Sequence, residues 1–103
     1  IAKVENDVVV PDKFILNQNY PNPFNPSTSI DIELRKSSHV RLSISDLNGK
    51  EISVITDQFL SQGINSFNWD SKDSRGVYVP AGVYFYQAKA NSNIQSKKML
   101  LLK

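Results

Sequence analysis

The 103-residue sequence contains no cysteine, which removes thiol nucleophiles, disulfide frameworks and cysteine-bearing zinc sites together. Histidine occurs once, as His39, so a hydrolytic triad has a single base to draw on, and no serine sits in a G-x-S-x-G elbow. Twelve basic and ten acidic residues are interspersed for a net charge of +2; no field of one sign steers a polyanion, which argues against a nucleic-acid partner. The longest apolar run, Met99-Leu100-Leu101-Leu102, is too short to cross a bilayer, and the first residues carry no signal-peptide pattern. The sequence starts at Ile1 without methionine. It is therefore expected to be a piece of a longer precursor whose export signal lies upstream.

The length suits one domain, and at this size an apolar core can stand without metal or disulfide support. Residues 1–13 mix charges with the Val8-Val9-Val10 run closed by Pro11, and read as a linker or an edge strand. The folded module is placed at 14–103. From Asn17 to Ser29 the sequence is NQNYPNPFNPSTS, with Pro21, Pro23 and Pro26 close together. Proline lacks a donor N–H and biases the preceding residue toward extended backbone, so an ordered lead-in pinned by Tyr20 and Phe24 is expected, with neither helix nor central strand.

Period-2 alternation follows. Ile30, Ile32 and Leu34 share one face of Ser29–Leu34, while Asp31 and Glu33 share the solvated one. Val40, Leu42 and Ile44 repeat the pattern. Asp46-Leu47-Asn48-Gly49 reads as a tight hairpin turn with Gly49 in positive φ, returning through the strand Lys50–Thr56. Gln58–Gly63 reads as a connection, Ile64–Trp69 as a strand and Asp70–Gly76 as a polar turn. Val77–Val79 reads as a short strand stopped by Pro80-Ala81-Gly82. Val83–Ala90 and Ile94–Leu102 complete the set around Asn91-Ser92-Asn93. About seven short strands with frequent turns predict an all-β, immunoglobulin-like antiparallel sandwich without the Cys…Trp…Cys core of antibody domains; a strongly twisted barrel is the alternative.

Few residues suggest chemistry. His39 falls in the polar phase of its strand and is expected to face solvent. Asp70 and Asp73 in DSKDSRG loosely resemble an acidic calcium loop, but the third acid and distal glutamate of an EF-hand are missing, so side-chain-to-backbone turns are the preferred reading. Tyr84, Tyr86 and Trp69 have inward parity, which leaves Tyr78 and Phe85 as a possible aromatic platform for polysaccharide. Lys97, Lys98 and Lys103 either guard an edge strand or form a recognition feature. No cofactor is expected.

Four blocks together resemble a known family. They are Tyr20-Pro21-Asn22-Pro23-Phe24-Asn25-Pro26-Ser27-Thr28, Ile44-Ser45-Asp46-Leu47-Asn48-Gly49-Lys50, Gly82-Val83-Tyr84-Phe85-Tyr86 and Lys98-Met99-Leu100-Leu101-Leu102-Lys103. In this order they resemble the type A C-terminal sorting domain of type IX secretion substrates, over about residues 14–103. Ser45 stands where that family usually has a tyrosine. The middle of the chain is also similar to the immunoglobulin-like part of flagellar hook-capping proteins.

The resemblance implies a module that carries an upstream cargo through an outer-membrane translocon to the cell surface. A sortase-like surface protease then removes it, often coupling the cargo to an anionic lipopolysaccharide. A cut in or before residues 1–13 would be implied. The matching recognition positions are Pro21, Asn22, Pro23, Asp46, Gly49, Lys50, Gly82, Tyr84, Lys98 and Lys103. The rival expectation is an accessory carbohydrate-binding or spacer sandwich on a secreted hydrolase.

Overall fold

The computed structural model describes residues 13–102. Among them are seven strands and no helix: β1 (Ile15–Leu16), β2 (Thr28–Leu34), β3 (Ser38–Ser45), β4 (Glu51–Leu60), β5 (Gly63–Trp69), β6 (Gly82–Ala90) and β7 (Asn93–Leu101). A three-stranded sheet, β1-β2-β5, faces a four-stranded sheet, β4-β3-β6-β7, and all these pairings are antiparallel. The expected two-sheet sandwich is present. Lys103 and the Val8–Val10 run lie outside the described residues.

Alternation decides what each sheet buries. Ile30, Ile32 and Leu34 line the inner face of one sheet; Val40, Leu42, Ile44, Tyr86, Ala88 and Met99 line that of the other, and all are buried. Trp69 closes one end of this layer, with its ring 5.6 Å from Tyr84 and 5.9 Å from Phe24. Fully burying each such side chain contributes roughly 1.5–3 kcal/mol, so loss of alternation on either face would dissolve the sandwich.

Strand β4 departs from simple alternation. Its register against β3 shifts between Leu42 and Ser43 and again between Ile44 and Ser45. The shifts leave Ile55 and Ile52 as extra residues, and both pack partly buried against the core. A bulge opposes two residues to one and re-aims the side chain that alternation would send outward.

Four expectations need correction. Gln58–Gly63 is not a connection, because Gln58, Phe59 and Leu60 pair with Val40, His39 and Ser38, and β5 already starts at Gly63. The polar Asp57-Gln58 pair imitates a loop only because it lies on a solvated sheet edge. Val77–Val79 is not a strand: a single bridge joins Tyr78 to Lys72, since the residues fold back over a turn. Strand β4 starts at Glu51, because Lys50 closes the preceding turn. Tyr20 does not pin the lead-in by its side chain, which is 80% exposed. Its backbone does so, with Tyr20 N–H and C=O both bonded to Ser29 at 2.9 Å.

Candidate recognition surface

The β3–β4 turn is built by one carboxylate. Gly49 N–H donates to Asp46 O at 3.0 Å and Asp46 N–H donates to Lys50 O at 3.0 Å. Asp46 Oδ1 accepts from the N–H groups of Asn48 at 2.9 Å and Lys50 at 3.0 Å. Gly49 has φ of +83°, the left-handed conformation that closes such a turn without strain only when no Cβ is present. Leu47 is thereby held out on a rigid tip, 67% exposed.

The same construction recurs at Asp73-Ser74-Arg75-Gly76-Val77. Gly76 N–H donates to Asp73 O, Asp73 N–H to Val77 O, and Asp73 Oδ1 accepts from Arg75 and Val77 N–H groups, with Gly76 at φ +82°. Asp73 Oδ2 takes the Arg75 guanidinium at 2.9 Å. Arg75 and the turn amides hold the Asp73 carboxyl below its ordinary range. The other weak cation candidate, Asp70, pairs with Lys72 at 3.8 Å. Among the described residues no three His, Asp or Glu side chains gather for a metal, and the loop's carboxylates serve its own backbone and cations.

The proline-rich lead-in forms a strap along the outer edge of β7. Phe24 N–H donates to Leu100 O at 3.0 Å, and Leu102 N–H donates to Phe24 O at 2.8 Å, in a parallel bridge. Asn22 Oδ1 accepts from Leu100 N–H at 3.0 Å, and Gln18 Nε2 donates to Lys98 O at 2.9 Å. Side chains supply two of these bonds and the Phe24 backbone the other two.

Beneath the strap is a buried polar cluster. Asn19, 2% exposed, donates from Nδ2 to Pro21 O and Thr28 Oγ1, while its N–H donates to the Tyr86 hydroxyl at 2.8 Å. The Tyr86 hydroxyl in turn donates to Asn17 O at 2.7 Å. Burial pushes the Tyr86 phenol up to about 12, with the Asn19 N–H opposing in part. The Tyr84 phenol is also raised, by burial first and then by the Asp46 carboxylate, and it donates to Pro80 O at 2.6 Å.

These contacts bring most of the sequence-predicted positions to one end of the β6–β7 pair. Asn22 touches β7 directly; Pro21 contributes its carbonyl to the buried cluster, and Pro23 is exposed beside it. Gly82 pairs with Leu101, and Phe85 pairs with Lys98 on one side and Ser45 on the other. Asp46, Asn48, Gly82, Val83 and Tyr84 line one shallow depression, with Leu47 at its lip. Leu47 also borders a second, floored by Phe85, Gln87 and Ser96. Val83 and Phe85 have the parity opposite to buried Tyr84 and Tyr86, so they lie on the outer face, beside Leu100 and Lys98. The result is an apolar patch of Leu47, Val83, Phe85 and Leu100 with Lys98 at its border.

Tyr84, one of the recognition positions that the resemblance implies, has its ring buried on the inner face, beneath the patch. Gly49 and Gly82 present backbone alone there, both at positive φ. Sequence reasoning missed Asn19, Thr28 and Tyr86 as a cluster; a polar Asn next to a proline run carries no signal of burial. Tyr78 and Phe85 do not form a platform. Tyr78 lies under Lys72 Nζ at 5.0 Å and lines a depression with Asn25 and Pro26, whereas Phe85 borders Leu47. His39 is exposed, as its parity predicts, and contacts Asp57 at 2.5 Å.

The class this architecture defines is the immunoglobulin-like β-sandwich. The FlgD Ig-like domain family matches residues 18–93, and the chain belongs to that family. Among solved structures, it is similar to dimeric latent PorU from Porphyromonas gingivalis, at 21% identity and a TM-score of 0.69, over 92% of this chain and 10% of that one. It is similar to P. gingivalis PorZ, an essential bacterial surface component of the type-IX secretion system, at 16% identity and TM-score 0.58, over 84% of this chain and 11% of PorZ. FlgD from P. aeruginosa aligns at 21% identity and TM-score 0.58, over 86% of this chain and 71% of FlgD. The chain thus spans about a tenth of the PorU and PorZ chains. No curated protein matches the sequence.

Proposed function

We propose that this module is a non-catalytic sorting signal that directs an upstream cargo through the type IX secretion system to the cell surface and is removed there by a sortase-like protease. The observation that carries the reading is spatial. Four sequence blocks far apart in the chain meet at one end of β6 and β7, around an exposed apolar patch that the core does not need. The fold likeness to PorZ, a component of that system, supports it.

In this reading Leu47, Phe85 and Leu100 are the apolar anchors and Lys98 sets charge and register. Asp46, Gly49, Lys50, Gly82 and Tyr84 hold the anchors in place, and Pro21, Asn22 and Pro23 fix the strap beside them. The test is surface display of a reporter fused ahead of the module, with Leu47→Ser and Lys98→Glu placed together on these exposed positions. Periplasmic retention of a folded double variant is expected; normal display overturns the patch as the recognition surface.

Membership in the FlgD Ig-like family supports a second reading, an assembly module that mediates contacts in an extracellular structure. Normal display of the cargo after removal of residues 82–103 would favour it.

A further inference from the structure

The strap's contact with β7 has a feature that neither proposed role explains: it covers a strand edge with a segment poorly suited to strand pairing. On β7 and the residue that follows it, Lys98 O, Leu100 N–H, Leu100 O and Leu102 N–H point away from β6, and all four are engaged by residues 18–24. Only two of those bonds use strap backbone. Asn22, the next position in register, is held between two prolines and meets Leu100 N–H with its side-chain oxygen, while the Gln18 side chain donates to Lys98 O. Phe24, 2% exposed and packed on Trp69, is the buried apolar anchor of residues 18–24, beside the polar tie of Asn19 to Tyr86.

We propose that the edge of β7 from Lys98 to Leu102 is a strand-addition site, kept closed by the strap acting as a displaceable cover. The occupant is an extended, proline-free segment of another protein, running parallel to β7, with one large apolar side chain that takes the seat of Phe24. Such a segment can set a main-chain N–H and C=O against Lys98 O and Leu100 N–H, where the strap uses the side chains of Gln18 and Asn22. The single buried seat fixes its register. The proposal does not depend on sorting: it concerns what can pair with β7, whichever role the module serves.

The test uses the full chain and two variants. Asn22 is exposed, so Asn22→Ala removes one strap bond with little risk to folding. Hydrogen exchange should speed up at both the Leu100 and Leu102 amides while the Leu42 amide is unchanged; acceleration at Leu100 alone overturns release of the strap as a unit. The second variant, Phe24→Ala, empties the anchor seat. A labelled synthetic peptide of residues 17–27 carrying Pro21→Thr, Pro23→Thr and Pro26→Thr should bind the Phe24→Ala chain at least about ten-fold tighter than the unmodified chain. Equal binding to the two chains overturns the proposal. So does a concentration-dependent dimer of the variant without peptide binding, which would make self-pairing the use of this edge.

Discussion

Replacing Tyr86 with phenylalanine removes one oxygen from the joint between the strap and the four-stranded sheet. That oxygen accepts from Asn19 N–H at 2.8 Å and donates to Asn17 O at 2.7 Å, on a side chain 1% exposed. Asn17 is exposed, so water can satisfy its carbonyl; Asn19 is buried, so its N–H is stranded. An unsatisfied buried donor costs about 1–3 kcal/mol and a lost hydrogen bond about 0.5–1.5 kcal/mol. Tyr86→Phe should therefore lose about 2–4 kcal/mol, or about 10 °C or more in Tm for a domain of this size. Urea unfolding followed by Trp69 fluorescence measures it. Tyr84→Phe is the control, since its hydroxyl reaches Pro80 O at the exposed end of the sandwich and should cost under about 1 kcal/mol. Equal losses for the two variants would refute the claim that the Asn19–Tyr86 cluster ties the strap down.

Other outcomes follow from the same structure. The Tyr86 phenol keeps its proton up to about pH 12 when folded, whereas the unfolded chain loses it near pH 10. Stability should be flat just below pH 10 and fall as pH rises through 10–12, with a shallower fall in Tyr86→Phe; matching slopes would show that burial of this group is not felt. Asp46→Ala should cost about 1 kcal/mol by freeing the Asn48 and Lys50 amides, as read in a thermal melt. Asp73, whose carboxyl is held below its ordinary range, stabilises above the unfolded carboxylate pKa. That contribution disappears as pH falls through the folded value, so Asp73→Ala and the parent should converge in acid melts. Gly49→Ala meets no atom within 4 Å, so its cost is conformational alone, about 1–2 kcal/mol.

Much of this fold is written in alternation. Ile30, Ile32, Leu34, Val40, Leu42 and Ile44 are all buried, and Gly49 in D-L-N-G gives the turn its left-handed residue. Strand β4 was harder to read, since two bulges turn Ile52 and Ile55 inward and local periodicity has no means of showing an extra residue whose partner lies on another strand. The site was legible as separate blocks. Their convergence was not, because the contacts that assemble it, Asn22 to Leu100 and Gln18 to Lys98, span most of the chain. Buried Asn19 was missed for a related reason, since its burial depends on a distant tyrosine. The Asp73 loop reads from sequence as a side-chain-to-backbone turn, and its carboxylate does accept from the Arg75 and Val77 amides.

The central claim, that the module is a transferable sorting signal, is tested most directly by fusing residues 1–103, with the segment where the cut is expected, behind an exported reporter in a bacterium with an active type IX system. Reporter is expected on the cell surface with the module removed, and in the periplasm when Leu47→Ser and Lys98→Glu are introduced. Reporter that stays in the periplasm with the unaltered module would contradict it.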